Sequence, residues 1–235
     1  MKDIKLDSRL GAAMNYVRKG SVMADIGTDH GFIPIKLIEE GISEFAYASD
    51  VNRQPLDKAV RNAVDHNVDG KMKFCLSDGL KFIDNGLMDE EHKITDIVIC
   101  GMGGELIAEI LAASEYIKQS TVRLVLQPMT MPDKLRNYLC SNGFEIEDET
   151  LCSAAGKIYT VMCVRYDGVI RRMTRSELLL GICNIKKQEP LFKEYAASFL
   201  RKLSTQIKGL ESGGYSTESE KELYNEISAL MEGKE

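Results

Sequence analysis

The sequence lacks the features that would assign it to a membrane, secreted or metal-binding class. No apolar run approaches the length of a transmembrane helix. The first residues are charged and carry no apolar stretch typical of a signal peptide, so we expect a cytoplasmic chain. The six cysteines include no Cys-x-x-Cys pair and mostly lie in apolar runs, which favours buried reduced thiols over a metal or redox site. We therefore expect neither a membrane anchor nor a metal centre.

The sequence also has no excess of positive charge. A formal net charge of −6 argues against a protein that coats nucleic acid non-specifically, but it leaves a local basic face open. The 235 residues can bury a full core and suit one α/β domain with a smaller appendage. We expect this chain to act as a monomer.

One stretch has the pattern of a ligand-binding loop. An apolar run ends in Asp25, Gly27 and Gly31 follow, and a helical pattern then extends over residues 32–40. Such a loop places backbone N–H groups at the edge where open α/β sheets bind nucleotides. Asp29 stands where dinucleotide-binding loops have a glycine, and its carboxylate would repel a diphosphate. The loop thus favours a cationic nucleoside such as S-adenosylmethionine, with a ligand-free turn as the alternative.

Two further acidic residues follow predicted strands. Asp50 ends a strand over residues 45–50, at the interval where nucleotide-binding units place a carboxylate on ribose hydroxyls. We favour that role for Asp50 over a cap of the helix predicted over residues 55–67. Asp78 follows a strand over residues 71–76. It either accepts a hydrogen bond from an adenine amino group or shapes a turn with Gly79.

A glycine-rich segment follows the most strand-like run of the chain, residues 95–100. Three glycines lie within Gly101-Met-Gly-Gly104, whereas a tight strand-to-helix turn needs only one or two. We therefore favour a wall that a flat ligand can approach closely. The pattern then predicts a helix over 105–113, a strand over 122–128 and a helix over 132–142.

The alternation of strands and helices stops at Phe144. Residues 145–151 and 157–166 are two extended runs with no helix between them, which predicts a β-hairpin. A doubly wound sheet closed by a hairpin distinguishes nucleoside-binding methyltransferases from dinucleotide dehydrogenases, which keep the alternation.

The remainder of the chain is predicted to be helical. Thr174 with Glu177, and Thr217 with Glu220, each match a capping box. A short helix to about Gln188 is followed by an antiparallel helical pair. Its apolar seam is formed by positions 192, 195, 199, 203, 207, 210, 223, 227 and 230. The most basic part comprises Arg171, Arg172, Arg175, Lys186 and Lys187, for which a solvated face and a substrate-facing cluster both stay open.

Residues 4–19 carry apolar residues at the spacing of an amphipathic helix that ends at Gly20. Its basic residues are Lys2, Lys5, Arg9, Arg18 and Lys19. We favour a solvated face for them over contact with substrate phosphates.

These motifs together resemble the bacterial tRNA adenine-22 N1-methyltransferase family. The resemblance is carried by Leu6-Asp-Ser-Arg-Leu10, Ala24-Asp-Ile-Gly-Thr-Asp-His30, Ile99-Cys-Gly-Met-Gly-Gly104, Leu124-Val-Leu-Gln-Pro128, Leu135-Arg-Asn-Tyr-Leu139, Asn142-Gly143, Gly156-Lys-Ile-Tyr159 and Glu177-Leu-Leu-Leu-Gly181. The sequence departs from the family at Asp50, where glutamate is frequent, and at Met129, where asparagine is common.

The resemblance implies a Rossmann-like class I methyltransferase domain over residues 1–168 and a coiled-coil-like helical domain over 169–235. It implies methyl transfer from S-adenosylmethionine to N1 of an adenosine in tRNA. The cofactor-binding residues expected on this basis are Asp25, Gly27, Thr28, His30, Asp50, Val51, Asp78, Gly79, Gly101, Met102 and Gly103.

The chemistry of N1 methylation assigns a separate role to Asp29. The lone pair of neutral adenine N1 attacks a sulfonium methyl group without a strong base, so an enzyme supplies placement and stabilisation of the positive charge. We hypothesise that Asp29 is this catalytic carboxylate, with a helix cap as the alternative. His30 is then a loop-packing or ligand-facing residue. No Asn-Pro-Pro-Tyr segment follows the fourth strand, which favours a ring nitrogen over an exocyclic amine.

Other functions remain as alternatives. A methyltransferase for another RNA position or a small molecule would use the same cofactor loop. A non-catalytic RNA-binding module would keep the fold without turnover, and Asp25, Gly27, Asp50 and Asp78 argue against it. An NAD-dependent oxidoreductase is disfavoured by Asp29 and by the closing hairpin.

Overall fold

The computed structural model describes residues 4–233 and shows a mixed seven-stranded sheet with helices on both faces. The strands are β1 (Ser21–Ile26), β2 (Ser43–Asp50), β3 (Met72–Leu76), β4 (Asp96–Gly103), β5 (Arg123–Thr130), β6 (Phe144–Ala154) and β7 (Lys157–Tyr166). Their spatial order is β3-β2-β1-β4-β5-β7-β6. Strands β1 to β5 are parallel, and β7 runs antiparallel to both β5 and β6. The predicted α/β sheet closed by a hairpin is confirmed.

The helices alternate with the parallel strands and then form the C-terminal part of the fold. They are α1 (Ser8–Met14), α2 (Phe32–Glu39), α3 (Arg53–Asp65), α4 (Lys81–Asp84), α5 (Gly104–Ala112), α6 (Pro132–Ser141), α7 (Arg175–Leu180), α8 (Ile182–Lys187), α9 (Phe192–Ser212) and α10 (Glu218–Glu232). None of the helices between residues 4 and 233 combines the length and hydropathy that crossing a membrane requires.

The sheet is buried on both faces because its central strands carry continuous apolar runs. In β4, Ile97 and Ile99 belong to the core that also contains α4, α5 and α6. Val98 points to the opposite core, which contains α1, α2 and α3. Because β1 to β5 are parallel, their carboxyl ends lie along a single edge of the sheet, which we call the carboxyl edge.

The predicted helix over residues 4–19 is wrong in extent. Helix α1 begins at Ser8, because the Asp7 side chain accepts hydrogen bonds from the backbone N–H groups of Arg9 and Leu10. It ends at Met14, and Arg18 is then drawn to the buried Asp96, with 3.0 Å from Nε to Oδ1. The start of the helix is thus fixed by a side-chain cap rather than by the apolar period. Lys2 lies outside the described residues.

The tail differs from its prediction in two places. The single short helix is broken at Gly181, where φ is +88°, into α7 and α8. Thr174 and Glu177 form the predicted capping box, whereas within the described chain the Thr217 side chain caps nothing. Thr217 has a ψ of 9° instead of the extended backbone that directs an N-cap side chain at the first turn.

The antiparallel pair α9 and α10 is confirmed. Phe192, Leu203 and Ile227 are buried in a core of their own that also takes in Leu151 of β6. Gln188 Nε2, ahead of α9, donates to the carbonyl of Leu230 near the end of α10, at 2.9 Å. The tail is thus packed against the hairpin strand as well as on itself.

A buried ion pair joins the tail to the sheet. Arg136 of α6 and Glu149 of β6 are both fully buried, with 2.7 Å from Nε to Oε1. Arg136 Nη1 also donates to the carbonyls of Leu178 and Leu179 at the end of α7. Glu149 Oε2 accepts from the backbone N–H of Cys183 in α8. The pair therefore satisfies the free backbone groups on both sides of the break between the two helices.

Candidate functional site

The glycine loop after β1 is held in a conformation that glycine alone accepts readily. Gly27 has a φ of +78° and Gly31 a φ of +69°. The backbone N–H groups of Gly27 and Thr28 donate to the carbonyl of Ser49, which ties the loop to the end of β2. A Cβ atom on Gly27 would lie 2.0 Å from Met102 Cε, so the loop also packs closely under the end of β4.

This loop borders a cavity of about 460 Å³ at the carboxyl edge. Residues 27–31 and Asp25 form one side of it, and Cys100 and Gly101 of β4 form another. The segment before α1 and the first turn of α1 form the remaining side, with Lys5, Asp7, Arg9 and Leu10. The structure thus brings together six of the predicted site residues: Asp25, Gly27, Thr28, Asp29, His30 and Gly101.

The floor of the cavity contains an unusual carboxyl group. Asp25 is 6% exposed, and burial raises its pKa from 3.8 to about 6. The nearby Thr28 hydroxyl offsets this rise in part, and the negative charge of Asp50 adds to it. Even so, the Thr28 hydroxyl is buried and forms no hydrogen bond with any residue of the described chain. Buried polar groups are nearly always paired, so Thr28 points to a missing partner in the cavity.

Asp29 and His30 form the exposed lip of the loop. Asp29 Oδ2 lies 3.2 Å from His30 Nε2, and Oδ1 lies 3.8 Å from Lys58 Nζ. Within residues 4–233, no contact joins the Asp29 side chain to a backbone N–H of α2, so the helix-cap alternative finds no support. The His30 ring stacks on Phe32 with 4.9 Å between ring centres. The Asp29 carboxylate therefore stays available at the mouth of the cavity.

The candidates on β2 and β3 line the same edge outside this cavity. Asp50 Oδ1 accepts from the backbone N–H of Asn52 at 2.6 Å, and Val51 is 63% exposed. The Asp78 carboxylate accepts from Lys81 Nζ at 2.6 Å and is mostly exposed. Gly79 has a φ of +57°, and a Cβ atom there would lie 3.1 Å from Ile110 Cγ2. These residues extend the edge away from Asp29, in the direction of β3.

The glycines at the end of β4 have three different environments. Gly101 has a φ of +83°, and its N–H donates to Gln127 Oε1 at 3.1 Å. Gly103 continues the strand opposite Thr130. A Cβ atom on Gly104 would lie 2.2 Å from the Met131 carbonyl oxygen, so this glycine is required by internal packing. Of the three, only Gly101 is among the residues that border the cavity.

Asp7 and Arg9, at the start of α1, border the cavity but were not among the predicted site residues. A solvated face was favoured for Arg9. The N-cap pattern at Asp7 could have located the start of α1, but no local signal places that start beside the carboxyl edge. Cys100 was also absent from the predicted site. Burial raises the pKa of its thiol well above the ordinary value.

The basic part of the tail is partly neutralised. Arg171 pairs with Asp167, Lys187 with Asp148, and Arg175 lies 4.0 Å from Glu220. Arg172 and Lys186 are exposed and have no ionic partner in the described part of the chain. They border a second cavity of about 460 Å³ between the start of β6 and α8.

No group of three or more histidine, cysteine, aspartate or glutamate side chains within residues 4–233 is placed to hold a metal ion. The six cysteines are all free thiols.

The chain is similar to known proteins over most of its length. Residues 6–162 match the methyltransferase-domain family. The tRNA (adenine(22)-N(1))-methyltransferase of Bacillus subtilis is 29% identical over 245 residues, which cover 99% of this chain and 96% of that enzyme. A putative tRNA methyltransferase of Mycoplasma pneumoniae is 31% identical, with 80% and 85% covered.

A solved structure extends the likeness to the fold. The crystal structure of a putative tRNA (m1A22) methyltransferase of Streptococcus pneumoniae in complex with S-adenosyl-L-methionine has a TM-score of 0.81 to this chain. The two are 29% identical, and the match covers 94% of this chain and 99% of the other. The helical tail is thus part of the shared architecture.

Proposed function

Because this chain belongs to the methyltransferase-domain family, and within it to the tRNA (adenine(22)-N1)-methyltransferases, we propose that it transfers a methyl group from S-adenosylmethionine to N1 of adenosine 22 in tRNA. The observation that carries this proposal is the cavity at the carboxyl edge. Its buried Thr28 hydroxyl lacks a partner within the described residues. Its glycine loop carries the carboxylates of Asp25 and Asp29, which would repel the diphosphate of a dinucleotide.

The residues at this edge fit a cationic nucleoside. Asp25 and Asp29 favour positive charge, and Gly27 allows the backbone to come close to the ligand. We assign Asp50 to the ribose hydroxyls and Asp78 to the adenine amino group, with Val51 and Gly79 beside them. Thr28 and His30 complete the loop side. Gly101, Met102 and Gly103 form the wall at the end of β4.

When bound, S-adenosylmethionine supplies a methyl group on a positively charged sulfur. The lone pair of adenine N1 forms the new N–C bond while the C–S bond breaks toward sulfur, so the positive charge moves to the adenine ring. Asp29 stabilises this charge from the mouth of the cavity. Its carboxylate can also accept a hydrogen bond from the exocyclic amine and assist loss of a proton from the product.

The tail is assigned to tRNA binding. We divide the chain into a catalytic domain, residues 1–168, and a helical domain, residues 169–235, which offers area for a folded RNA. Deleting the tail would uncover the buried pair of Arg136 and Glu149, so charge reversal is the cleaner test. Arg172→Glu with Lys186→Glu should weaken tRNA binding and leave cofactor affinity intact. Unchanged tRNA affinity would remove this surface from the proposal.

We further propose that the protein acts as a monomer in the cytoplasm, where its tRNA substrate is made. Size-exclusion chromatography with light scattering measures the first point. A dimer of the pure protein would contradict it.

The experiment that tests the function is a methyl-transfer assay with the full chain, S-adenosylmethionine and unmodified tRNA transcripts. Mass spectrometry of the digested RNA should detect 1-methyladenosine, and a transcript with guanosine at position 22 should yield none. Another methylated nucleoside, or 1-methyladenosine from the guanosine-22 transcript, would redirect the proposal to a different acceptor. No product, with cofactor binding demonstrated separately, would favour an RNA-binding module.

A further inference from the structure

One side of the cavity is formed by an arginine that the roles above do not use. The Arg9 side chain is only 17% exposed, although it lies at the first turn of α1. Its Nε and Nη2 donate to Asp7 Oδ2 at 3.1 and 2.6 Å. Its Nη1 donates to Gln127 Oε1 at 3.1 Å and to Met129 Sδ at 2.8 Å. All three nitrogen atoms of the guanidinium therefore donate hydrogen bonds within the protein, which fixes the position of its plane.

The two faces of this guanidinium have different surroundings. The ring of Tyr159, on β7, covers one face with 5.4 Å from Arg9 Cζ to the ring centre. Among the described residues, Arg9 borders the cavity and Tyr159 does not. The cavity therefore lies on a side of Arg9 that the tyrosine ring does not cover.

The plane is also anchored to the wall of the proposed cofactor site. Gln127 Oε1, which accepts from Arg9, accepts from the backbone N–H of Gly101 as well. Gly101 itself borders the cavity. A planar group attached here is fixed relative to the end of β4 and cannot move independently of it.

The chemistry of Arg9 distinguishes between two kinds of ligand. A phosphate is best bound by a guanidinium with free donors and uncompensated charge. Most donors of Arg9 are occupied, and Asp7 neutralises its charge. A rigid plane with one open face suits a nucleobase instead, since proteins that bind unstacked bases stack them on aromatic rings or on guanidinium planes.

We propose that Arg9 is the platform on which the target adenine stacks in the cavity, a proposal that rests on the proposed function. Tyr159 supports the plane from behind, and Asp7 and Gln127 fix its orientation. Because Asp7 balances the positive charge of Arg9, the platform does not oppose the positive charge that develops on the methylated ring. Arg9 is then a substrate-binding residue, and it determines how N1 is presented.

The test compares Arg9→Lys with Arg61→Lys in single-turnover methylation at saturating cofactor and tRNA. Both substitutions keep the positive charge and remove the guanidinium plane. Arg61 is exposed on α3 and does not border the cavity, so it serves as the matched control. Because Arg9→Lys loses the plane on which a base can stack, its rate should fall about tenfold or more, with cofactor affinity unchanged. Arg61→Lys should methylate at close to the wild-type rate.

A second measurement separates stacking from a loosened α1. With 2-aminopurine at position 22, wild-type protein should raise the fluorescence as the base leaves the RNA stack, and Arg9→Lys should give a smaller rise. Arg61→Lys should leave both readouts unchanged. A wild-type rate for Arg9→Lys, an equal loss of rate for Arg61→Lys, or tenfold weaker cofactor binding by Arg9→Lys would each overturn the platform. If the wild-type protein fails to methylate the transcript with adenosine at position 22, the proposed function is overturned and the platform with it.

Discussion

Two buried carboxylates, Asp25 and Glu149, occupy opposite environments in this molecule. Glu149 has the guanidinium of Arg136 at 2.7 Å, and its second oxygen accepts from the backbone N–H of Cys183. Asp25 has no basic partner among the groups that shift its pKa, and burial dominates that shift. The charge of Glu149 is balanced within the chain, whereas the charge of Asp25 is not.

The difference separates a buried carboxylate that stabilises the fold from one that is placed to bind a ligand. A buried pair with every polar atom satisfied holds two elements in one geometry, here the tail against the hairpin. A buried carboxyl beside an unsatisfied hydroxyl is stable only at a cost in free energy of folding, which a ligand can recover. The first arrangement lies in the junction with the tail, and the second lies at the carboxyl edge.

The largest effect on stability is expected from breaking the ion pair between Arg136 and Glu149. Glu149→Ala leaves the Arg136 guanidinium buried without a counter-ion, which should lower the free energy of unfolding by about 3–5 kcal/mol. Urea denaturation measures this loss. The double variant Arg136→Met with Glu149→Leu should recover only part of it, because it removes both charges but leaves the carbonyls of Leu178 and Leu179 without their donor. Equal stability of Glu149→Ala and wild type would show that the pair does not hold the junction.

The second prediction concerns the stability of the ligand-free protein against pH. The pKa of Asp25 is raised from 3.8 to about 6 in the folded state, so the folded protein favours the protonated carboxyl. The stability that depends on this proton is fully present below about pH 4 and is lost as pH rises through 6. A shift of about two units corresponds to a loss on the order of 3 kcal/mol. Asp25→Asn lacks this loss and should be more stable than wild type at pH 7, by a margin that vanishes near pH 4. A constant difference between the two proteins across this range would contradict the raised pKa.

The smallest predicted effect lies at the exposed lip. Asp29→Asn should lower kcat about tenfold, equivalent to about 1.4 kcal/mol of transition-state stabilisation, because the amide cannot balance the charge that develops on adenine. Stability should hardly change, since Asp29 is exposed and makes only loose contacts with His30 and Lys58. Steady-state methylation with parallel cofactor titration provides the measurement. A variant that binds cofactor and methylates at the wild-type rate would exclude Asp29 from catalysis.

Much of the sheet could be predicted from local sequence. Continuous apolar runs such as residues 95–100 indicate a strand that is buried on both faces, and the change of pattern at Phe144 indicates the hairpin. The loop around Gly27 was predictable because its positive φ requires glycine. Each of these features depends on residues that are close together in the chain.

Most of the features that were missed depend on residues far apart in the chain. The start of α1 is an exception, because the adjacent Asp7 caps it. Beyond α1, Arg18 pairs with Asp96, which the apolar period of residues 4–19 does not contain. The break at Gly181 has the same origin: a Cβ atom there would lie 2.2 Å from Glu149 Oε2, which comes from β6. Likewise, Arg9 enters the site through Gln127, on a strand more than a hundred residues later.

The most direct test of the central claim is a calorimetric titration of S-adenosylmethionine into three proteins at pH 7.5: wild type, Asp25→Asn and Glu149→Gln. The account predicts that Asp25→Asn stays folded and binds at least tenfold more weakly, since it lacks the unbalanced carboxylate of the cavity floor. Folded Glu149→Gln should bind as wild type does, because its carboxyl group lies in the junction with the tail. Wild-type affinity in Asp25→Asn would contradict the claim that the unbalanced carboxyl at the carboxyl edge marks the cofactor site.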